Sequence, residues 1–126
     1  MLKKISLAIL IVGYIAAGLN HFVNPDGYIK IIPDYLPHPD QLNYIAGAME
    51  IIFGAMLIFP STRHLGATLL IILLALFTPV HVTMLQQAPL WVGKLYVTPL
   101  IAWLRLLFQP VLMLWLYWQT KHGVTA

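Results

Sequence analysis

The chain has 126 residues, of which 60% are hydrophobic and only 9% are charged. Soluble domains are about half apolar and about a quarter charged, so these residues cannot form a water-compatible surface, and we predict one integral membrane domain over residues 1–126. The net charge of +3 does not call for nucleic acid as a partner, and the absence of cysteine excludes thiol redox chemistry and thiolate metal ligation by this chain.

The first predicted helix covers residues 5–20, after the positively charged Lys3 and Lys4. A membrane-spanning helix needs about 20 mostly apolar residues, so this segment is short for a span. Its charged start and apolar run also resemble a signal peptide, with Ala16 and Ala17 as a cleavage point. We favour a retained helix because the later segments need a partner to pack against.

Residues 22–41 interrupt the helical pattern, since they contain four prolines that forbid a continuous helix. The segment is nevertheless too apolar for a solvated loop, and tyrosines are common at the headgroup level of a membrane. We therefore predict an interfacial lid over the outer end of the protein, with Tyr28 and Tyr35 in it.

Three further helices are predicted at residues 42–59, 65–85 and 95–118. Short links at 60–64 and 86–94 make neighbouring helices antiparallel. The predicted fold class is therefore all-α, a four-helix transmembrane bundle with a Pro-rich interfacial loop between its first two helices.

The distribution of positive charge predicts the orientation of these four spans. Four basic residues fall on one side and two on the other: Lys3, Lys4, Arg63 and Lys121 against Lys30 and Lys94. Because positively charged loops stay in the cytoplasm, we expect both termini to be cytoplasmic.

Glu50 lies within the second predicted helix, on the same face as Gly47 and Gly54. A carboxyl group in hydrocarbon costs several kcal/mol unless it is neutral, paired or hydrated, and small residues mark close helix contacts. Glu50 should therefore point inward. Arg105 is its predicted partner, because a guanidinium keeps its charge and can grip a carboxylate through two hydrogen bonds. Gln109 lies one turn further along that helix face.

His21 and His81 are predicted at a similar height, so each of the four helices sends one ionisable group toward the same half of the protein. Ionisable residues inside a membrane suggest a functional site. The predicted ligand-binding group is His21, Glu50, His81, Arg105 and Gln109. The alternative is that a Glu50–Arg105 pair only fixes helix packing.

Three ligands suit such a group to different degrees. Two histidines can ligate haem in a helical bundle, but only if the rings of His21 and His81 face inward at one depth. His81 and Met84 are a weak match for copper, and we predict no metal site. A quinone fits better, because its carbonyls accept hydrogen bonds from histidine and arginine and a carboxylate can relay a proton.

Several short motifs resemble those of the DoxX-like family of small bacterial integral membrane proteins. They are Gly18-Leu19-Asn20-His21-Phe22 with Pro25, Tyr28, Pro33 and Leu36-Pro37, then Gly47 to Glu50 with Gly54, the turn at 60–63, the segment 77–84, and Arg105 with Gln109. The resemblance covers nearly the whole chain and implies four helices in the bacterial cytoplasmic membrane. Some relatives are a subunit of a thiosulfate:quinone oxidoreductase or associate with redox-stress enzymes.

Together these observations predict a redox-linked subunit or accessory protein with an outer-side cavity lined by His21, Glu50, His81 and Arg105. In this scheme His21 and Arg105 donate hydrogen bonds to a quinone or similar lipophilic ligand. The expected partners are the lipid bilayer, a membrane or redox protein, and further copies of the chain. A non-catalytic assembly module and an oligomeric transporter are the alternatives, and catalysis by the chain itself is left open.

Overall fold

The structure, a computed structural model, describes residues 1–120, so Lys121, which enters the charge argument above, lies outside the described residues. The elements follow in the order α1 (Leu2–Val23), α2 (Pro25–Lys30), α3 (Pro39–Met56), α4 (Pro60–Gln87), β1 (Leu90–Val92), β2 (Leu95–Val97) and α5 (Pro99–Thr120). The chain is thus predominantly helical, and the all-α prediction is confirmed apart from one short hairpin.

Four of the helices begin at a proline: Pro25, Pro39, Pro60 and Pro99. Proline suits the first turn of a helix, where its missing N–H would have no partner and its fixed φ is already helical. The predicted link at residues 60–64 is therefore wrong, because Pro60 starts α4 and the segment 61–64 belongs to its first turns.

Residues 90–97 form a β-hairpin, in which Leu90 pairs with Val97 and Val92 with Leu95. Its two-residue loop begins with Gly93 at φ +62°, a backbone conformation that the first position of a tight hairpin turn requires and glycine adopts easily. The prediction that a helix starts at residue 95 is wrong for this reason. Residues 95–97 pair with β1 as a strand, and the helix starts only at Pro99.

The long helices pack in sequence: α1 mainly against α3, α3 against α4, and α4 mainly against α5, with a smaller α1–α5 contact. Three hydrogen bonds join the start of α1 to the end of α5, and one of them runs from Lys3 Nζ to the Trp118 carbonyl. Trp115 Nε1 donates to Ser6 Oγ at 2.7 Å, and Gln119 Nε2 donates to the Lys3 carbonyl at 3.0 Å. We call this end of the molecule the terminal end.

The opposite end, which we call the hairpin end, brings α2 against the hairpin. A Cβ on Gly27 would lie 2.8 Å from the backbone nitrogen of Gly93, so glycine permits this close contact. Lys30 Nζ donates to the Trp91 carbonyl at 2.9 Å. The two connecting segments, 24–38 and 88–98, are therefore parts of one layer.

Among the described residues, three helices are long and apolar enough to cross a membrane: α1, α4 and α5. Helix α3 is not one of them, since polar side chains such as Asp40, Asn43 and Glu50 lower the mean hydropathy of its 18 residues. The outward face of α5 exposes Leu100, Leu104 and Leu114. An exposed apolar surface of this extent is compatible with a multi-pass membrane protein.

Candidate functional site

The site is built where α1 crosses α3 at two glycines. A Cβ on Gly18 would lie 2.6 Å from the Gly47 carbonyl oxygen, and a Cβ on Gly47 would lie 2.6 Å from the His21 Cβ. Small residues let helix backbones approach this closely. His21 and Glu50 each follow one of these glycines by three residues, which is nearly one helical turn. The crossing therefore brings the two side chains together.

His21 is buried and has both ring nitrogens engaged. Its Nδ1 lies 2.7 Å from Asn43 Oδ1, and its Nε2 lies 3.3 Å from Glu50 Oε1. Asn43, which is also buried, donates from Nδ2 to the His21 backbone carbonyl at 2.9 Å. The amide thus holds both the ring and the backbone of the histidine.

These contacts determine where the His21 hydrogens lie. Because Asn43 Nδ2 donates to a carbonyl, Asn43 Oδ1 is the acceptor that faces His21, and Nδ1 must carry a hydrogen. In a neutral imidazole Nε2 is then an acceptor, so Glu50 must be protonated to bond it; in an imidazolium Nε2 donates to an ionised Glu50. In both states the His21–Glu50 pair holds one shared proton and is neutral overall.

Tyr28 stacks on one face of the His21 ring. The two rings are stacked with their centroids 3.9 Å apart, and Asn20 Nδ2 donates to the Tyr28 hydroxyl at 2.6 Å. Burial raises the pKa of the Tyr28 phenol, an effect that the hydrogen bond from Asn20 opposes and the nearby Glu50 reinforces. The phenol is therefore neutral at physiological pH and can act as a hydrogen-bond donor.

Arg105 does not form the predicted ion pair with Glu50. Its Nη1 donates to Gln109 Oε1, and Gln109 Nε2 donates to the Leu74 carbonyl at 2.8 Å. The Glu50 carboxylate pairs with His21 instead. Glu50 pairs with His21 because the contact between Gly18 and Gly47 brings α1, and not α5, next to Glu50. Gln109 is almost completely buried and positions Arg105 without lining the cavity described next.

An inner cavity of about 530 Å³ lies between α1, α2, α3 and α4, and Arg105 reaches it from α5. Its polar wall contains His21, Glu50, His81 and Arg105, and most of the remaining wall is apolar. Three of the apolar lining residues are exposed at the surface, Ile45 and Met49 on α3 and Leu76 on α4. The cavity therefore opens sideways between α3 and α4.

Two buried polar atoms in this wall lack a hydrogen-bond partner within residues 1–120: Glu50 Oε2 and His81 Nδ1. A buried polar atom without a partner costs about 1–3 kcal/mol. Both atoms belong to residues that line the inner cavity, so a bound molecule with hydrogen-bonding groups can remove this cost.

The structure places four of the five predicted ligand residues on the wall of one cavity and the fifth, Gln109, behind Arg105. Of the predicted lid residues, Tyr28 lines the cavity, whereas Tyr35 is 75% exposed and does not. Asn43 was missed. It shares a helix face with Gly47 and Glu50, at spacings of four and three residues, and this pattern was the signal that could have found it.

Asn43 and Glu50 occupy both ring nitrogens of His21, so the predicted hydrogen bond from His21 to a ligand would have to replace one of these two contacts. The same occupancy means that haem ligation by His21 would require breaking one of these contacts. Within the part of the chain that the structure describes, no three His, Cys, Asp or Glu side chains are grouped so that they could hold a metal ion.

Long apolar helices with an exposed apolar surface, arranged around a buried polar cluster, are the features of an α-helical membrane protein. Residues 10–120 match the family described as a domain of unknown function, DUF8561, and the chain belongs to this family. No curated protein and no solved structure matches it.

Proposed function

We propose that the chain is a four-helix protein of the bacterial cytoplasmic membrane in which α3 also crosses the bilayer. Eighteen helical residues extend about 27 Å, close to the roughly 30 Å of a hydrocarbon core. The Glu50 face of α3 is covered by α1, while Ile45 and Ile52 on the outward side are exposed and apolar. The charge distribution in the sequence supports an orientation with both termini in the cytoplasm and the hairpin end outside.

We further propose that the inner cavity binds a small lipophilic molecule with a hydrogen-bonding head group, and that a quinone is the best candidate. The observation that carries this proposal is the pair of buried, unpartnered atoms Glu50 Oε2 and His81 Nδ1 on the wall of an otherwise mostly apolar cavity. Ligand sites commonly combine an apolar lining with a few polar groups of this kind.

Each side chain has a role in this scheme. His81 Nδ1 can donate to a carbonyl of the head group, and Glu50 Oε2 can accept from the hydroxyl that forms when the head group takes up a proton. The Arg105 guanidinium offers charge-assisted hydrogen bonds to an oxygen that gains negative charge. The His21–Glu50 pair can pass its shared proton to the ligand, leaving a neutral imidazole beside a carboxylate. The sideways opening between α3 and α4 lets the apolar part of the ligand enter from the lipid.

The resemblance to DoxX-like proteins supports a place for the chain as a redox-linked subunit or accessory protein that works with a membrane or redox partner. The second candidate is an assembly module without a ligand. One observation favours it: His21, Asn43 and Glu50 already satisfy most of one another's hydrogen bonds and could simply lock α1 to α3.

Binding of a short-chain benzoquinol, the reduced form of a quinone head group, to the purified protein in lipid nanodiscs separates these two candidates. In Glu50→Gln, the amide can still donate to His21 Nε2, so we expect the fold to be kept. The variant keeps an acceptor oxygen at this position but loses the carboxylate charge, so its hydrogen bond to a quinol hydroxyl falls from about 1.5–3 kcal/mol to about 0.5–1.5 kcal/mol, which corresponds to roughly fivefold weaker binding. Equal quinol affinity in both proteins, or none in either, would favour the assembly module.

The sideways opening provides an independent test with a matched control. Leu76→Trp should narrow the entrance, and overpacking of about 1–3 kcal/mol should weaken quinone binding about tenfold. Ile72 lies one turn away on the same helix, is also exposed and does not line the cavity. Ile72→Trp should therefore bind like the wild type, and equal losses in both variants would remove the entrance from the proposal.

A further inference from the structure

A second cavity of about 430 Å³ lies at the hairpin end. Polar side chains from the end of α1 and the hairpin loop line it, namely Asn20, Asn24 and Lys94. These three residues are all exposed, so this outer cavity opens toward the surface at the hairpin end. It belongs to the layer in which α2 meets the hairpin.

The outer and inner cavities share a wall. Four residues line both of them: Tyr28, Ile31, His81 and Arg105. Of these, Ile31 cannot carry a proton, Arg105 does not release one, and the Tyr28 phenol is neutral and held by Asn20. His81 remains, a buried imidazole between two cavities with Nδ1 unpartnered.

We propose that the outer cavity is a water-side inlet through which protons reach the His21–Glu50 pair, with His81 as the carrier across the shared wall. Once the pair has given up its proton, a hydronium ion in the outer cavity protonates one nitrogen of the His81 ring and becomes water. The ring releases the proton on its other nitrogen into the inner cavity, where the Glu50 carboxylate accepts it at Oε2 and the neutral pair is restored. Without a ligand the same path runs in both directions, so one proton enters for each one that leaves. No electron moves, and the His81 ring returns to its neutral form once its tautomer has been reset.

The inference rests on the proposed membrane placement but not on the identity of the ligand. The sideways opening of the inner cavity is bordered by Ile45, Met49 and Leu76, so in a bilayer it faces hydrocarbon and supplies no water.

The test follows deuterium uptake by the His21–Glu50 pair in nanodiscs without any ligand, after transfer from H2O to D2O. Glu50 is the only glutamate in the chain, so a 13C-glutamate label introduced by cell-free synthesis reports on one carboxyl group in the infrared. If the shared proton lies on His21 Nε2 and not on Glu50, the 15N signals of the labelled His21 ring report the same deuterium uptake.

His81→Phe should slow this uptake at least about tenfold, since a positioned acid–base group has been removed. His64→Phe is the matched control, because His64 is an exposed histidine at the other end of the same helix, and its uptake should equal that of the wild type. If His81→Phe fails to fold, His81→Gln retains a polar side chain that cannot carry a proton and should show the same slowing.

Wild-type uptake rates in a folded His81 variant would overturn the inference. A failure of quinone binding would leave this measurement unaffected, so the two proposals can fail separately. Backbone amide exchange in α1, followed in the same samples, should not differ between the variants and the wild type; a general acceleration there would show loosening of the fold and not a change in proton delivery.

Discussion

Asn43 binds Nδ1 of His21 and thereby leaves Nε2 to share a proton with Glu50. It accepts from Nδ1 and donates to the His21 backbone carbonyl, so it holds the ring in one orientation and one tautomer. This positioning role is separate from ligand contact, even though Asn43 also borders the inner cavity. The chemistry of the pair therefore depends on an uncharged residue.

Replacing Asn43 by leucine should destabilise the protein by about 1–3 kcal/mol, because a buried N–H and a buried carbonyl lose their partner. The change is measured by unfolding in detergent, and 15N chemical shifts of the His21 ring should show that Nδ1 no longer always carries a hydrogen. Asn24→Leu is the control: Asn24 is exposed and bonds only Asn20 among the side chains, so its effect should stay within about 0.5 kcal/mol.

Unchanged stability and unchanged His21 shifts in Asn43→Leu would contradict this account of the tautomer. The prediction concerns the local geometry alone and holds whether the inner cavity binds a quinone or nothing.

At the level of single residues, the sequence identified which side chains face inward but not which of them touch. Helical periodicity and the cost of charge in hydrocarbon were enough to place His21, Glu50, His81 and Arg105 on one side. The partner of Glu50 depends on how closely each neighbouring helix approaches, and periodicity carries no information about that distance. The predicted Glu50–Arg105 pair failed at this step.

The α1–α3 crossing is the element on which the site depends, because two glycines allow the backbones to come close enough for a 3.3 Å contact between His21 and Glu50. A methyl group on Gly47 would meet the His21 Cβ at 2.6 Å, which is too short for any real contact. The nearest atoms are the His21 Cβ and the Gly18 carbonyl oxygen, which are fixed to the backbone of α1. Because no rotation of a side chain can move these atoms away, the two helices themselves must move apart.

Gly47→Ala should therefore destabilise the fold by about 1–3 kcal/mol through overpacking, and the 15N shifts of His21 should show the loss of its Glu50 contact. Gly13 on α1 provides the control, since a Cβ there would meet nothing within 4 Å. Gly13→Ala should leave the His21 shifts unchanged and stabilise the helix by about 0.5–1 kcal/mol. Equal destabilisation in both variants would mean that the crossing is not the critical contact.

The helices themselves were largely predictable, since long apolar runs broken by proline define them well. The hairpin was not predicted, although its signal is present: Gly93 and Lys94 separate two short runs of apolar, β-branched and aromatic residues. The apolar run at 95–97 is also compatible with the start of a helix, and so short a run does not distinguish a strand from a helix. The prolines at 60 and 99 were the better markers of helix starts.

At the scale of the whole molecule, the proposed topology places residues 34 and 94 on one side of the membrane and residue 61 on the other. The chain contains no cysteine, so single substitutions Asp34→Cys, Lys94→Cys and Ser61→Cys can be labelled without background. In intact spheroplasts, an impermeant thiol reagent should label the first two and should reach Ser61→Cys only after permeabilisation.

Labelling of positions 34 and 61 from the same side would show that α3 does not cross the bilayer. The reverse pattern, with only position 61 accessible from outside, would keep four spans and invert their orientation. The sequence predicts the orientation from a small excess of positive charge, which is why this property needs a direct measurement.

The neutrality of the His21–Glu50 pair has a consequence for an energised membrane. The pair carries no net charge and the Arg105 charge stays in place, so an uncharged molecule that fills the empty cavity moves no charge through the transmembrane voltage. Its binding should therefore not depend on that voltage. Once the bound molecule takes the proton, a carboxylate is left in the field, and moving one full charge across the membrane is worth about 2.3 kcal/mol per 100 mV. Electrical sensitivity would then belong to the proton-transfer step alone.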